Sequence, residues 1–332
     1  MVPPFTMTID WLSFTIPDVR LELVKEALGM DWVQGESGFR GYPTSWISAN
    51  GSSGVGLLGT GAPRSPKEVH GDLSGGIVST WPLARVKTVL DWINEHQGHV
   101  TRFDCALDDR ASQVTLEHVK AAVAAGQCLT RARQFRLVAA SDLNQGTATG
   151  ETLYFGSPTS QTLLRVYDKR LEMQHKEREN WQDYGIRWEL ELKKERAQAC
   201  TAALRGWEEA EWRRYLISVL RAHINFRDTT RDEPDWVRCR APLLPWWALL
   251  TEGLETCRLV VEQDVRTIED LKDWVARALG PTLAVLYEEA GSPWMAQMIE
   301  DGKRRWRPHH RRLLTGTGRN HTYGLRPSKP PV

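Results

Sequence analysis

The stretch LLRVYDKRLEMQ, Leu163 to Gln174, sets a tyrosine between an arginine and a lysine at alternating positions. In a strand, alternate residues share a face, so Arg165, Tyr167 and Lys169 point one way and Leu164 and Val166 the other. A phenol of pKa about 10 is a poor nucleophile at neutral pH, and neighbouring cations help it attack. Two nearby segments add carboxylates. In VTRFDCALDD, Phe103, Cys105 and Leu107 share one face and leave Asp104, Ala106 and Asp108 on the other. In IRWELELK, Trp188, Leu190 and Leu192 are apolar, and the opposite face reads Arg187, Glu189, Glu191, Lys193. Clustered oxygen donors suit a hard cation, Mg²⁺ or Mn²⁺, which would relieve their mutual repulsion. The same alternation is also what the solvated outer face of a half-buried antiparallel sheet gives, where cross-strand Glu–Lys pairs add a few tenths of a kcal/mol. Pattern alone therefore reads each carboxylate pair first as surface. Tyr154, in TLYFG, has a similar face assignment.

These residues must be positioned by strands and helices in mixed order. TIDWLSFTIP alternates as a strand, and DVRLELVKEALGM carries apolar residues at helical spacing. Short strands follow in GYPTSWIS, VGLLGTG and VHGDLSG, then a helix in PLARVKTVLDWINEHQG that stops at glycine. The order then repeats: strand VTRFDCALDD, helix TLEHVKAAVAAGQ, and strands ARQFRLVAA, ETLYFGS, LLRVYDK and IRWELELK. Spacings support a duplication: Tyr167 lies eleven residues after Gly156 and His70 eleven after Gly59, each preceded by valine. Asp10 precedes LELVK about as far as Asp104 precedes LEHVK. Chance agreement between short strands is the alternative. The expected fold is α+β, antiparallel sheet units with flanking helices, internally duplicated. The expected divisions are a non-catalytic unit at 1–98, a unit carrying the site at 99–230, a helical region at 231–302 and a basic tail at 303–332.

Composition narrows the classes. With 332 residues, 41% hydrophobic and 26% charged, the chain can bury a substantial core. No apolar run approaches the roughly 20 residues needed to cross a bilayer. MVPPFTMTIDW lacks the charged start and apolar core of a signal peptide, so a cytoplasmic location is expected. Five scattered cysteines form no CxxC pair or Cys/His cluster, which argues against disulfides and zinc fingers. A net charge of +1 argues against a general nucleic-acid coat and leaves local patches to be considered. KRRWRPHHRRLL is one patch, with Lys303, Arg304, Arg305 and Arg307 at its start; its composition suits a disordered phosphate-binding arm or a solvated tail. TRARQFR, with Arg131, Arg133 and Arg136, is another. Of the fifteen tryptophans, most, including Trp246 and Trp247, are expected to anchor helix packing.

The sequence resembles the replication initiation factor family, the rolling-circle initiators of filamentous phages and related plasmids, which is related to relaxases of some conjugative elements. The resemblance runs in order through TIDWLSFTIP, VHGDLSGG, TRFDCALDD, ETLYFGSPTSQTLLRVYDKRLEMQ, IRWELELKKERA, LLPWWALL and LKDWVARALGPTLAVL. It implies a nicking enzyme whose tyrosine attacks a DNA phosphodiester with a divalent cation, Mg²⁺ or Mn²⁺. The tyrosine of the R-[IV]-Y-x-K element falls on Tyr167, with Arg165 and Lys169 beside it. Asp104, Glu189 and Glu191 are the first-choice metal ligands and Asp108 the reserve. The His-hydrophobe-His metal motif of the best-known rolling-circle nickases is absent, His309 and His310 being adjacent. Carboxylate ligation is the expected variant, and His70 stands as a metal ligand, a DNA contact or a structural residue. Expected partners are origin DNA, duplex and single-stranded, with host helicase and polymerase. One nucleophile per chain makes a homodimer plausible, because closing a circle needs a second cleavage. A relaxase acting at a transfer origin and a non-enzymatic DNA-binding regulator are the alternatives.

Overall fold

The computed structural model describes residues 5–49, 54–144, 146–178, 181–252 and 279–306, with single positions between 268 and 276. Residues Met1–Val261 form one compact unit and Glu262–Val332 a second. The first is built on β1 (Phe5–Ile16), β2 (Val33–Gln34), β3 (Thr44–Ala49), β4 (Val55–Ala62), β5 (Ser65–Ser74), β6 (His99–Asp109), β8 (Phe135–Asp142), β9 (Thr147–Phe155), β10 (Thr162–Asp168) and β11 (Ile186–Lys193). These make a ten-stranded sheet in the order β2-β3-β4-β5-β1-β6-β11-β10-β9-β8, with each adjacent pair antiparallel. β7 (Cys128–Thr130) pairs separately with β12 (Ile224–Phe226). Between the strands run α1 (Leu21–Leu28), α2 (Gly75–Val78), α3 (Leu83–Glu95), α4 (Leu116–Ala124), α5 (Lys169–His175), α6 (Glu195–Arg205) and α7 (Glu209–His223).

The duplication is visible in the strand order. From the central β1–β6 seam outward, the first half runs β1, β5, β4, β3, β2 and the second β6, β11, β10, β9, β8. Sheet position therefore matches β5 to β11 and β4 to β10. The equal spacing that set His70 beside Tyr167 is a false register. His70 lies on β5, next to the seam, whereas Tyr167 lies on β10, one strand further out. Where β10 presents Arg165 and Tyr167, β4 presents Leu57 and Gly59 opposite Asp72 and His70. The Tyr42 ring lies where a Cβ on Gly59 would go, 2.8 Å away, and stacks on His70 with ring centres 5.7 Å apart. The first half thus has no tyrosine on the strand that matches the one carrying Tyr167 in the second.

One sheet face is apolar. Leu12, Phe14, Phe103, Cys105, Leu107, Trp188, Leu190 and Leu192 are all buried there. Helices α3 and α6 both pack against β6 and against each other. Val86, Val89, Leu90 and Ile93 give α3 the i, i+3, i+4, i+7 stripe that this burial requires. α7 contributes Trp212, Leu216, Val219 and Leu220 to the same core. Trp247 is fully buried against Trp188 and Phe226, with Trp246 packed alongside, as the sequence suggested for this pair. Among the described residues no helix is long and apolar enough to cross a membrane. Among the described residues, Cys105, Cys128, Cys200 and Cys239 form no disulfide. In the second unit, a helix spans Gly280–Arg304.

Candidate active site

The site lies on the polar face of the second half-sheet. Strand register sets it up: Tyr167 pairs with Arg187 and Arg187 with Asp108, making one row across β10, β11 and β6. The next rows are Arg165, Glu189, Ala106 and then Leu163, Glu191, Asp104. Because antiparallel partners on one face stand about 5 Å apart, residues distant in sequence become neighbours here. Gly185 lets this happen at the start of β11: a Cβ there would meet the Asp109 carbonyl at 2.1 Å.

The alternation that reads as a solvated outer face does not describe this one. Asp104, Asp108, Glu189 and Glu191 are exposed by only 0, 1, 6 and 4%. Buried carboxylates need partners, and here arginines provide them. Arg187 Nε and Nη2 donate to the two oxygens of Asp108 at 2.6 and 2.8 Å, and its Nη1 donates to Asp10 at 2.8 Å. Asp10 reaches this point because β1 slips register against β6 between Ile9 and Trp11, and such a bulge re-aims a side chain. Arg102 Nη2 pairs with Asp104 at 2.5 Å and Glu191 at 2.9 Å, its guanidinium 4.3 Å above the Trp11 ring. Lys193 pairs with Glu191.

Asp104, Glu189 and Glu191 converge on one point, the Arg165 Nη2 nitrogen. It lies 3.4 Å from Asp104 and from Glu191 and is hydrogen-bonded to Glu189. Among the described residues no three or more His, Cys, Asp or Glu are arranged to hold a metal ion as they stand, and Arg165 fills the place where these three meet. The donor set nonetheless fits Mg²⁺ or Mn²⁺, being all hard oxygen and already centred on a cation. Burial, aided by the charges of Glu191 and Glu189, pushes the Asp104 carboxyl up to about 7 against the pull of Arg102. Asp108 is not part of this convergence; Arg187 holds it in the adjoining row.

Tyr167 donates its hydroxyl to Glu189 Oε2 at 3.2 Å. Burial and then the charge of Glu189 raise the phenol pKa above its ordinary value, so the resting residue is a protonated phenol beside a base. Burial likewise raises the Glu189 carboxyl, with Asp10 reinforcing the shift and Arg165 opposing it. Lys169 is not on the strand face with Arg165 and Tyr167. Asp168 accepts from the Leu171 amide at 3.0 Å, capping α5, and the strand ends there. Lys169 therefore opens a helix, where it pairs with Glu172 at 2.9 Å and stands 5.8 Å from the Tyr167 ring centre. Tyr154 does share the site's face, opposite Arg165 on β9 and 5.2 Å from the Arg136 guanidinium.

Other sequence candidates lie elsewhere. His70 bonds Thr15 at 2.9 Å beneath Tyr42, and burial holds its imidazole below the usual pKa. Arg131 and Arg133 line a cavity that Leu190 and Leu192 help to floor, on the apolar face. Lys303 and Arg304 close the Gly280–Arg304 helix, paired with Glu300 and Asp301, and Arg305 donates to the Asp301 carbonyl at 3.2 Å. Arg307 and the rest of the tail lie outside the described residues. Sequence reasoning gave no role to Arg102, Arg187 or Asp10. Two signals were available: Arg187 shares the Glu189 face, and Asp10 precedes LELVK about as far as Asp104 precedes LEHVK.

Fold and site together define an α+β protein that holds a half-buried tyrosine against a buried carboxylate on one face of a duplicated antiparallel sheet. The chain belongs to the replication initiation factor family, whose model matches residues 98–299. A relative from Bacillus subtilis (strain 168), "Putative DNA relaxase NicK", is 25% identical over 227 residues, 66% of this chain. The match spans 63% of that relative's length. A solved rolling circle replication initiator protein from Geobacillus stearothermophilus shares the fold, with a TM-score of 0.62 at 19% identity over 78% of this chain and 100% of that one.

Proposed function

We propose that this protein is a rolling-circle replication initiator that nicks one strand of origin DNA. The Tyr167 oxygen attacks a phosphodiester, the new oxygen–phosphorus bond replaces the bond to the 3'-oxygen, the phenolic proton passes to Glu189, and the departing 3'-oxygen takes a proton from water. The products are a 5'-phosphotyrosine, which conserves the energy of the broken bond for rejoining, and a free 3'-hydroxyl that primes synthesis. The observation that carries this reading is the hydrogen bond from the Tyr167 hydroxyl to a buried Glu189 whose carboxyl is held above the ordinary carboxylate range. A base so raised is better matched to a phenolic proton than a solvated glutamate is. Asp104, Glu191 and Glu189 would hold a Mg²⁺ or Mn²⁺ ion that polarises the phosphate as a Lewis acid. Arg165 and Lys169 add positive potential where the phosphate must sit. Origin DNA is the partner, duplex for recognition and single-stranded for cleavage, with host helicase and polymerase acting on the exposed primer. A homodimer would supply the second tyrosine for closure.

The relative's name supports a second reading, the same chemistry at a transfer origin. A purely DNA-binding regulator would have no need to keep the tyrosine and its base together. The test compares Tyr167→Phe with Tyr154→Phe on a single-stranded oligonucleotide and maps the covalent peptide by mass spectrometry. Tyr167→Phe should bind DNA and form no adduct, while Tyr154→Phe still forms it. A nucleotide on Tyr154, or on no tyrosine, would overturn the mechanism.

A further inference from the structure

The polar face that carries Tyr167 continues across the central seam into the first half-sheet. There β1 lies between β5 and β6, and its register sets Asp72, Ser13 and Arg102 in one row and Ser74, Trp11 and Asp104 in the next. Asp72 is buried and held by three donors: Ser13 Oγ at 2.6 Å, the Trp11 indole N–H, and Arg40 Nη2 at 2.6 Å. The same indole N–H reaches Ser13 Oγ at 2.9 Å. The edge of the Trp11 ring is thereby pinned, and its face carries the Arg102 guanidinium, 4.3 Å from the ring centre. That guanidinium grips two carboxylates from different strands. It donates to Asp104 on β6 through Nε at 3.0 Å and Nη2 at 2.5 Å, and Nη2 pairs with Glu191 on β11 at 2.9 Å.

We infer that Trp11 is a positioning residue: held at its edge by Asp72, it fixes the plane of Arg102 and so the spacing of Asp104 and Glu191. The inference rests on the metal reading given above, in which these two carboxylates help to hold Mg²⁺ or Mn²⁺, and it gives the first half-sheet a part in that site. An arginine fork binds in the plane of its guanidinium, and a flat aromatic face sets that plane. Without the ring, Arg102 keeps its charge and loses its orientation, and the two carboxylates, which repel each other, lose the fixed clamp between them. Groups that orient ligands in this way matter to a metal site nearly as much as the ligands do. The register makes the contact possible, because Trp11 stands directly opposite Asp104 while Arg102 stands opposite Ser13, one row away on the same face.

The experiment titrates the full chain with Mn²⁺ in the absence of DNA and reads the free ion by electron paramagnetic resonance. The wild type is compared with Trp11→Leu, Trp11→Phe, Asp72→Ala and Asp104→Asn, with thermal melting in EDTA as the folding control. Trp11→Leu keeps apolar bulk and removes the ring, and it should weaken Mn²⁺ binding by about 10- to 100-fold. Trp11→Phe restores a ring face to Arg102 and should bind within about threefold of the wild type. Asp72→Ala frees the indole edge without touching the ring, so it should shift the affinity in the same direction as Trp11→Leu, and it carries the test should that variant fail to fold. Affinity for a single-stranded oligonucleotide in EDTA should be the same throughout. Wild-type Mn²⁺ affinity in folded Trp11→Leu or Asp72→Ala, with Asp104→Asn binding weakly, would overturn the inference and leave the metal reading standing. Trp11→Phe as weak as Trp11→Leu would also overturn it, because the ring face would then have no part. Were Asp104→Asn to bind Mn²⁺ as the wild type does, the metal reading itself would fail, and this inference with it.

Discussion

Glu189→Gln removes the proposed base, and with it one of the three carboxylates proposed to hold the metal. The substitution keeps the side chain's size and one acceptor oxygen and removes its basicity. Arg165 keeps its contacts with Asp104 and Glu191, and burial already favours a neutral group at position 189. The loss of stability should therefore stay below about 1 kcal/mol. The rate should not survive. Without the base, Tyr167 must ionise to solvent, and a phenol of pKa about 10 is only about 0.1% phenolate at pH 7. Burial raises this phenol further. Cleavage should fall by about a thousandfold or more, about 4 kcal/mol in the barrier, within the range that general-base removal gives. The assay is single-turnover cleavage of an end-labelled single-stranded origin oligonucleotide at saturating protein. In the wild type the rate should drop on acidification as Glu189 takes up a proton, with a midpoint above the ordinary glutamate value of about 4.3. In Glu189→Gln that acid limb should vanish. Cleavage within about fivefold of wild type, with the acid limb intact, would refute the assignment and place the base elsewhere.

Arg187→Ala leaves Asp108 and Asp10 facing each other without their shared cation, and urea unfolding should show a loss of about 3–5 kcal/mol at unchanged m-value. His223 binds a proton more readily when unfolded, at about 6.5, than folded, at about 4. Its contribution is complete above pH 6.5 and lost as pH falls through 4, about 3 kcal/mol in all, and the stability of His223→Phe should lack that slope between these limits. Removing residues 307–332 should weaken duplex binding and flatten its salt dependence by about 0.9 for each phosphate that the tail neutralises, read by anisotropy over a salt series. An unchanged slope would assign no DNA-binding role to the tail.

Strand alternation identified the face that carries Tyr167, Arg165, Glu189, Glu191, Asp104 and Asp108, because a period of two is local and survives any packing. The repeated order of elements likewise pointed to two sheet units, and the motif around Tyr167 marked the second as the one expected to carry the chemistry. Which strands stand side by side is not local information. Only the assembled sheet places β11 between β10 and β6, bringing Glu189 to Tyr167 and three carboxylates to Arg165. Counting residues matched His70 to Tyr167, but pairing matched β5 to β11, because hydrogen bonds between strands, and not spacing along the chain, define equivalence in a sheet. The cap at Asp168 ended a strand that alternation alone would have carried through Lys169. The bulge beside Ile9 turned Asp10 toward Arg187 from a strand that pairs with β6 rather than β11. Burial was the largest reversal: the polar face is solvated by pattern but packed in the fold, since arginines from the same strands neutralise the carboxylates and let the face close over them.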